Sequence, residues 1–156
     1  MAAPLFDMRV KDLFFDRPKV QRAVDRARRR ALSKAGAFIR QRARTSMRRR
    51  RGSSAPGSPP HAHEGSLRRL LFFAYDPSAD SVVVGPVGFR RSDAPNTLEF
   101  GGAATVTRRR TRPRSGGTRG VESRRVRIEA RPYMGPALRK ELPNLPKPWA
   151  SSVRGG

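Results

Sequence analysis

From Pro18 to about Arg51 the apolar residues recur at steps of three and four: Val20, Ala23, Val24, Ala27, Ala31, Ala35, Phe38, Ile39, Ala43 and Met47. This spacing draws one stripe along a helix and sets a polar face opposite it. Asp16-Arg17-Pro18 reads as its start, because Asp accepts N-terminal N–H groups and Pro is tolerated in a first turn. The stripe is rich in Ala, which permits close approach to a flat partner such as a sheet. Gly36 interrupts it at a cost of about 1 kcal/mol relative to Ala, which marks a close contact or a bend. The opposite face is strongly cationic: between Arg22 and Arg51 there are thirteen basic residues and one acid, Asp25.

The rest of the chain supplies the surface for that helix. Leu13-Phe14-Phe15 reads as a short strand or anchor. Leu67 to Tyr75 is an apolar run, ambiguous with a helical turn at Ser66–Leu70. The turn sequence Asp76-Pro77-Ser78-Ala79-Asp80 separates it from Ser81-Val82-Val83-Val84-Gly85, so the two runs predict a β-hairpin. Thr97-Leu98-Glu99-Phe100 reads as a short strand ended by Gly101-Gly102, with Ala104–Thr107 a further strand. Arg124 to Ala130 alternates, with Val126 and Ile128 on one face and Arg125, Arg127 and Glu129 on the other. Gly135–Leu142 predicts a short helix, after which Pro143, Pro146 and Pro148 predict an extended tail. The expectation is one α+β domain over residues 1–156. A long N-terminal amphipathic helix packs on a small antiparallel sheet, followed by a short C-terminal helix. Extended, flexible arms are expected at about 52–65, 107–123 and 143–156.

Composition narrows the chemistry. Lys and Arg total 35 against 12 acids, a formal charge of +23 that attracts polyanions. There is no cysteine, which excludes disulfides and thiolate chemistry. No apolar run approaches the roughly 18 residues that span a membrane, and Met1–Val10 lacks a signal-peptide pattern, so a cytoplasmic origin without a membrane partner is expected. His61 and His63 have no further His or Cys to complete a metal site. The acids are scattered, and no phosphate-cradling or dinucleotide glycine pattern occurs. No catalytic, cofactor or metal residue is therefore assigned, and no enzyme is expected. The strongest signals are Arg48, Arg49, Arg50 and Arg51, and the loop with Arg108, Arg109, Arg110, Arg112 and Arg114. Such clusters hold phosphate without reading sequence, and they equally suit acidic neighbours in an assembly. A free-standing, non-sequence-specific nucleic-acid binder fits them, and a metal-dependent nuclease is a remote third reading.

Four stretches in order resemble the neck and tail-completion proteins of long-tailed bacteriophages. They are Ser54-Ala55-Pro56-Gly57-Ser58-Pro59-Pro60 with Gly65-Ser66-Leu67-Arg68, then Val82-Val83-Val84-Gly85-Pro86, then Pro95-Asn96-Thr97-Leu98-Glu99-Phe100-Gly101-Gly102, then Ala130-Arg131-Pro132-Tyr133-Met134-Gly135-Pro136-Ala137-Leu138. The resemblance covers about residues 20 to 142. The high Arg content, the basic loop at 108–119 and the Pro-rich end depart from the family's pattern. What the resemblance implies is a virion protein that completes the tail and joins it to the head. It would form a homo-oligomeric ring, usually hexameric, around the DNA channel. Head-closure, tail-terminator or tail-tube proteins would be its neighbours, and phage DNA would pass through the lumen. On that reading Pro56, Pro59, Pro60, Phe100, Tyr133 and Trp149 are candidates for the subunit interface.

Overall fold

A computed structural model of the chain describes residues 17–63, 65–89, 92–109 and 121–150. The fold is α+β. Helix α1 (Arg17–Ser46) is followed by a single turn, α2 (Ser66–Arg69), and a hairpin of β1 (Leu71–Asp76) and β2 (Ser81–Pro86). Then come α3 (Ala94–Phe100), a second hairpin of β3 (Gly102–Arg109) and β4 (Val121–Ile128), α4 (Met134–Glu141), a 3-10 turn (Leu142–Asn144) and α5 (Pro146–Ala150). The strands form two separate two-stranded antiparallel sheets rather than the single small sheet expected. The sequence expectations at Leu13–Phe15 and Asp16 lie outside the described residues.

The alanine stripe of α1 lies on the first hairpin. Ala27, Ala31, Ala35, Gly36, Ile39 and Ala43 are the buried positions of the helix. In β1 and β2 the pairs Phe73↔Val84 and Tyr75↔Val82 alternate with Phe72↔Gly85 and Ala74↔Val83, so one face of the hairpin turns to the helix. Gly36 is a close contact: a Cβ there would stand 2.5 Å from Val82 Cγ2 and 2.9 Å from Phe73 Cδ2. Further along, Arg40 Nε donates to the Leu71 carbonyl at 2.6 Å, and its guanidinium lies over the Phe72 ring at 5.6 Å. Arg28 pairs with Asp80 at 2.7 Å, and the Tyr75 hydroxyl donates to the same carboxylate at 2.9 Å. The hairpin turn is thereby tied to the helix, and the turn itself is held by Asp76, whose carboxylate accepts from Ser78 N and Oγ. Those bonds hold the Asp76 carboxyl below its usual range.

Two limits of α1 differ from the periodic pattern. Residues 17–26 are all exposed, so Val20, Ala23 and Val24 continue the stripe past the positions buried among the described residues. Phe38, counted in the stripe, is also exposed. At the other end the helix stops at Ser46, five residues before the expected Arg51. Thr45 Oγ donates to the Arg42 carbonyl and Ser46 Oγ to that of Ala43. Hydroxyls bonded back in this way take up the last-turn carbonyls and compete with further helix. Met47 then turns inward and is buried.

The core gathers Ala43, Met47, Ala62, Leu71, Tyr133 and Ala137, with Leu67, Leu98 and Met134 against it. Residues 52–63 are irregular, as expected for an arm, yet lie along the body. Gly57 N donates to Ala130 O at 2.8 Å, Ala62 N to Arg48 O at 3.0 Å, and Arg131 Nε to Ser54 O at 2.9 Å. Ser54, Pro60 and Ala62 are buried.

Thr97-Leu98-Glu99-Phe100 is a correction: these residues belong to helix α3. Pro95 occupies its first turn, Thr97 Oγ bonds back to Asp93 O at 2.9 Å, and Gly101 ends it at φ 78°. Those terminal signals override the β-forming alternation of four residues. The tail is a second correction. The prolines at 143, 146 and 148 sit in a 3-10 turn and in the first turn of α5, where a missing N–H costs nothing. The expected arm at 107–123 is β-strand at both ends, since β3 reaches Arg109 and β4 begins at Val121. Val126 and Ile128 are half-buried while Arg125 and Arg127 are exposed, as the alternation predicts.

Candidate functional site

Two surfaces meet at Tyr133, which is 1% exposed and forms part of the floor of both. Its position is fixed from α3. The Glu99 carboxylate reaches across and accepts the backbone N–H groups of Tyr133 at 2.8 Å, Met134 at 3.0 Å and Gly135 at 2.8 Å. The first turn of α4 offers no capping side chain of its own, so a distant carboxylate fills the role. Arg131 N donates to Leu98 O at 2.6 Å beside it. Burial, and then the charge of Glu99, push the Tyr133 phenol up to about 12.

The first surface is a cationic cleft of about 490 Å³. Arg42 enters from the last turns of α1, Arg48 and Arg50 from the segment beyond it, His61 from the irregular stretch and Lys140 from the last turn of α4. Tyr133, Pro136 and Ala137 supply the apolar lining. Arg48 and Arg50 alternate with Arg49 and Arg51, which do not line the cleft. His61 Nδ1 lies 3.1 Å from Gly52 O. Among the described residues that line this cleft none is acidic.

Arg42 differs from the other cations because its Nε bonds Glu141. Asn144 Nδ2 donates to the other carboxylate oxygen at 3.2 Å. The Glu141 side chain is 7% exposed and that of Arg42 43%. The bond from Arg42 holds the Glu141 carboxyl below its usual range, against the opposing effect of burial. The two partners are therefore unequal. Arg42→Ala strands a buried carboxylate and is expected to cost about 2 kcal/mol, whereas Glu141→Ala leaves a hydrated guanidinium and costs about 1 kcal/mol. Because the folded carboxyl is the stronger acid, its contribution is present above the ordinary glutamate range and fades as pH falls through the lowered folded value. Urea midpoints at pH 7 and pH 4 check both points: Arg42→Ala should show the larger loss at pH 7 and a shallower decline toward acid than the parent chain.

The second surface is an apolar groove, also of about 490 Å³. Val82, Val84 and Pro86 of β2 form one wall, Pro95 and Phe100 of α3 another, and Met134 and Leu138 of α4 the third. Phe100 is 80% exposed at its rim, and Leu138, which reads as a core residue in the sequence, is also exposed.

The candidate residues divide accordingly. Of the two basic clusters, Arg48 and Arg50 reach a common cleft. Arg108 and Arg109 pair with Glu122 and Val121 at the end of the second hairpin, while Arg110, Arg112 and Arg114 lie outside the described residues. Of the interface candidates, Phe100, Pro56 and Trp149 are exposed. Tyr133 and Pro60 are buried inside the fold, which corrects their assignment to a surface, and Pro59 lines the cationic cleft. Lys140 and Glu99 were not singled out from the sequence. Among the described residues no three His, Cys, Asp or Glu side chains converge, and no helix is long and apolar enough to cross a membrane. No family model, curated protein or solved structure matches the chain.

Proposed function

We propose that this chain is a structural, non-enzymatic subunit of the neck of a long-tailed phage, completing the tail and joining it to the head as a ring around the DNA. The observation that carries the reading is how the four family-like stretches meet. The Ser54–Pro60 stretch is bonded to Ala130 and Arg131, whose neighbours are capped by Glu99. The Glu99 helix, the Val82–Pro86 strand and the Met134–Leu138 turn enclose one apolar groove. Three of the four motifs, spread over residues 82–138, thus line one groove. Exposed Phe100, Leu138 and Val83, with Val20 and Val24 on the projecting end of α1, supply apolar area for neighbouring subunits. An assembly subunit buries such groups in its contacts.

The test is electron microscopy of lysates from a phage carrying a nonsense mutation in this gene. Separate full heads and tails, or tails of aberrant length, are the expected result. Normal infectious particles would overturn the neck reading. A second reading, a free-standing basic nucleic-acid binder, is favoured by the cationic cleft and predicts association that vanishes at high salt. A ring held by apolar contacts should instead persist at 0.5 M salt by sedimentation velocity.

A further inference from the structure

We infer that the cleft between the end of α1 and α4 is a nucleic-acid backbone site, in which Arg48, Arg50 and Lys140 neutralise phosphates. The inference rests on the neck reading for the identity of the polyanion and on the cleft alone for its place.

The cations fall into two kinds. Arg42 is committed to Glu141. The ion pairs among the described residues leave out Arg48, Arg50 and Lys140, so their charge is available to a ligand. They come from segments about ninety residues apart in the chain, and the fold brings them to one opening. Two guanidinium forks and an ammonium match phosphate oxygens, which accept several hydrogen bonds each.

The remaining lining decides what sort of anion fits. Thr45 and Ser46 direct their hydroxyls to helix carbonyls, so those protons are already in use. Among the described residues no Asn, Gln, Asp or Glu lines the cleft, so it carries no side chain of the kind that pairs with an adenine or cytosine edge, and its cations hold phosphate oxygens as well as a guanine edge. Of its two rings, Tyr133 is buried and presents no face for a base to stack on, and His61 is half-buried with its Nδ1 against the Gly52 carbonyl. What the three cations share is a grip on phosphate oxygens, so recognition is chiefly of the backbone. A protein partner fits less well. Protein interfaces are built on an exposed apolar core, whereas Tyr133 and Ala137 are buried here and the exposed lining is Arg42, Thr45, Arg48, Arg50, Ser58 and Lys140.

The test is fluorescence anisotropy of the full chain with a labelled duplex DNA, measured against salt. Each phosphate contact contributes about 0.9 to the slope of log K against log salt. The triple variant Arg48→Gln, Arg50→Gln, Lys140→Gln should lose about 2.7 of that slope and at least tenfold in affinity at 0.1 M salt. Lys140→Gln alone should lose about 0.9. A charge-removing control on the projecting face of α1, Arg22→Gln with Arg26→Gln, should leave the slope nearly unchanged. Circular dichroism melts confirm that each variant folds. A slope that falls equally for cleft and control variants would mean diffuse attraction and would overturn the site. So would an unchanged slope in the triple variant, or competition by a poly-glutamate peptide as effective as that by unlabelled DNA. The neck reading is judged separately by particle morphology: separate heads and tails with an unchanged slope reject the site alone, and normal particles with a lowered slope reject the neck alone.

Discussion

Replacing Glu99 by alanine lowers the stability of the folded chain by about 3 kcal/mol. The loss is large because one carboxylate serves three backbone donors, on Tyr133, Met134 and Gly135. Removing it orphans the first three N–H groups of α4 beside the buried Tyr133. It also severs the link between α3 and α4 that sets the third wall of the apolar groove. Glu99→Gln retains one acceptor oxygen and should cost only about 1 kcal/mol. Urea unfolding measures the two values. Hydrogen exchange gives the local signature: the amides of 133–135 should lose protection in the alanine variant well before those of the first hairpin. Equal costs for the two substitutions would show that packing, rather than the three hydrogen bonds, holds Glu99 in place.

Gly36→Val is expected to cost about 3 kcal/mol. In an open helix a glycine is a weakness, and replacing it by alanine gains about 1 kcal/mol. Here the position faces Val82 and Phe73, and even a single added carbon would sit 2.5 Å from one and 2.9 Å from the other. Val82 is stiff at its branched carbon, and the Phe73 ring is met near its base, so neither retreats cheaply. Gly36→Ala should thus be destabilising by about 1 kcal/mol, because overpacking exceeds the gain in helix propensity. The pair can be uncoupled: adding Val82→Ala opens the space, so the double variant should lose less than the sum of the two single losses. Additive losses in that double-mutant cycle would show that the contact does not limit the approach of α1 to the hairpin.

Much of the fold was legible because it is periodic. The stripe from Ala27 to Ala43, the hairpin from Leu71 to Pro86 and the alternation at Val126 and Ile128 each follow from spacing on one face. The failures share a different cause. In α3, four residues with strand-like alternation are outweighed by a proline in the first turn and a glycine in the left-handed region at the end. At Pro146 and Pro148 the residue type read as a helix breaker, although a first turn has no use for those N–H groups. The site was half legible. The run Arg48–Arg51 announces a polyanion partner, but only its departure from helical geometry after Ser46 sends Arg48 and Arg50 to one side. Lys140 joins them through tertiary packing, and no local pattern marks it. Glu99 falls within the four residues that read as a strand; its use as a cap appears only when α3 and α4 stand side by side.

The bond between Arg42 and Glu141 spans 99 positions, and that span bears on how the chain is made. Synthesis runs from the N-terminus, so α1 leaves the ribosome well before the hairpin and α4 that cover its alanine stripe. Its alanines and arginines favour a helix, but alone it has nothing to cover its apolar stripe and its arginines repel one another. Its charge keeps the nascent segment dispersed; burial of its alanine stripe waits on the first hairpin, and that of its C-terminal end on α4. Contacts of such long separation close late. The docking of α4 beneath Glu99, which also brings Lys140 alongside Arg48 and Arg50, is then expected to come late in folding.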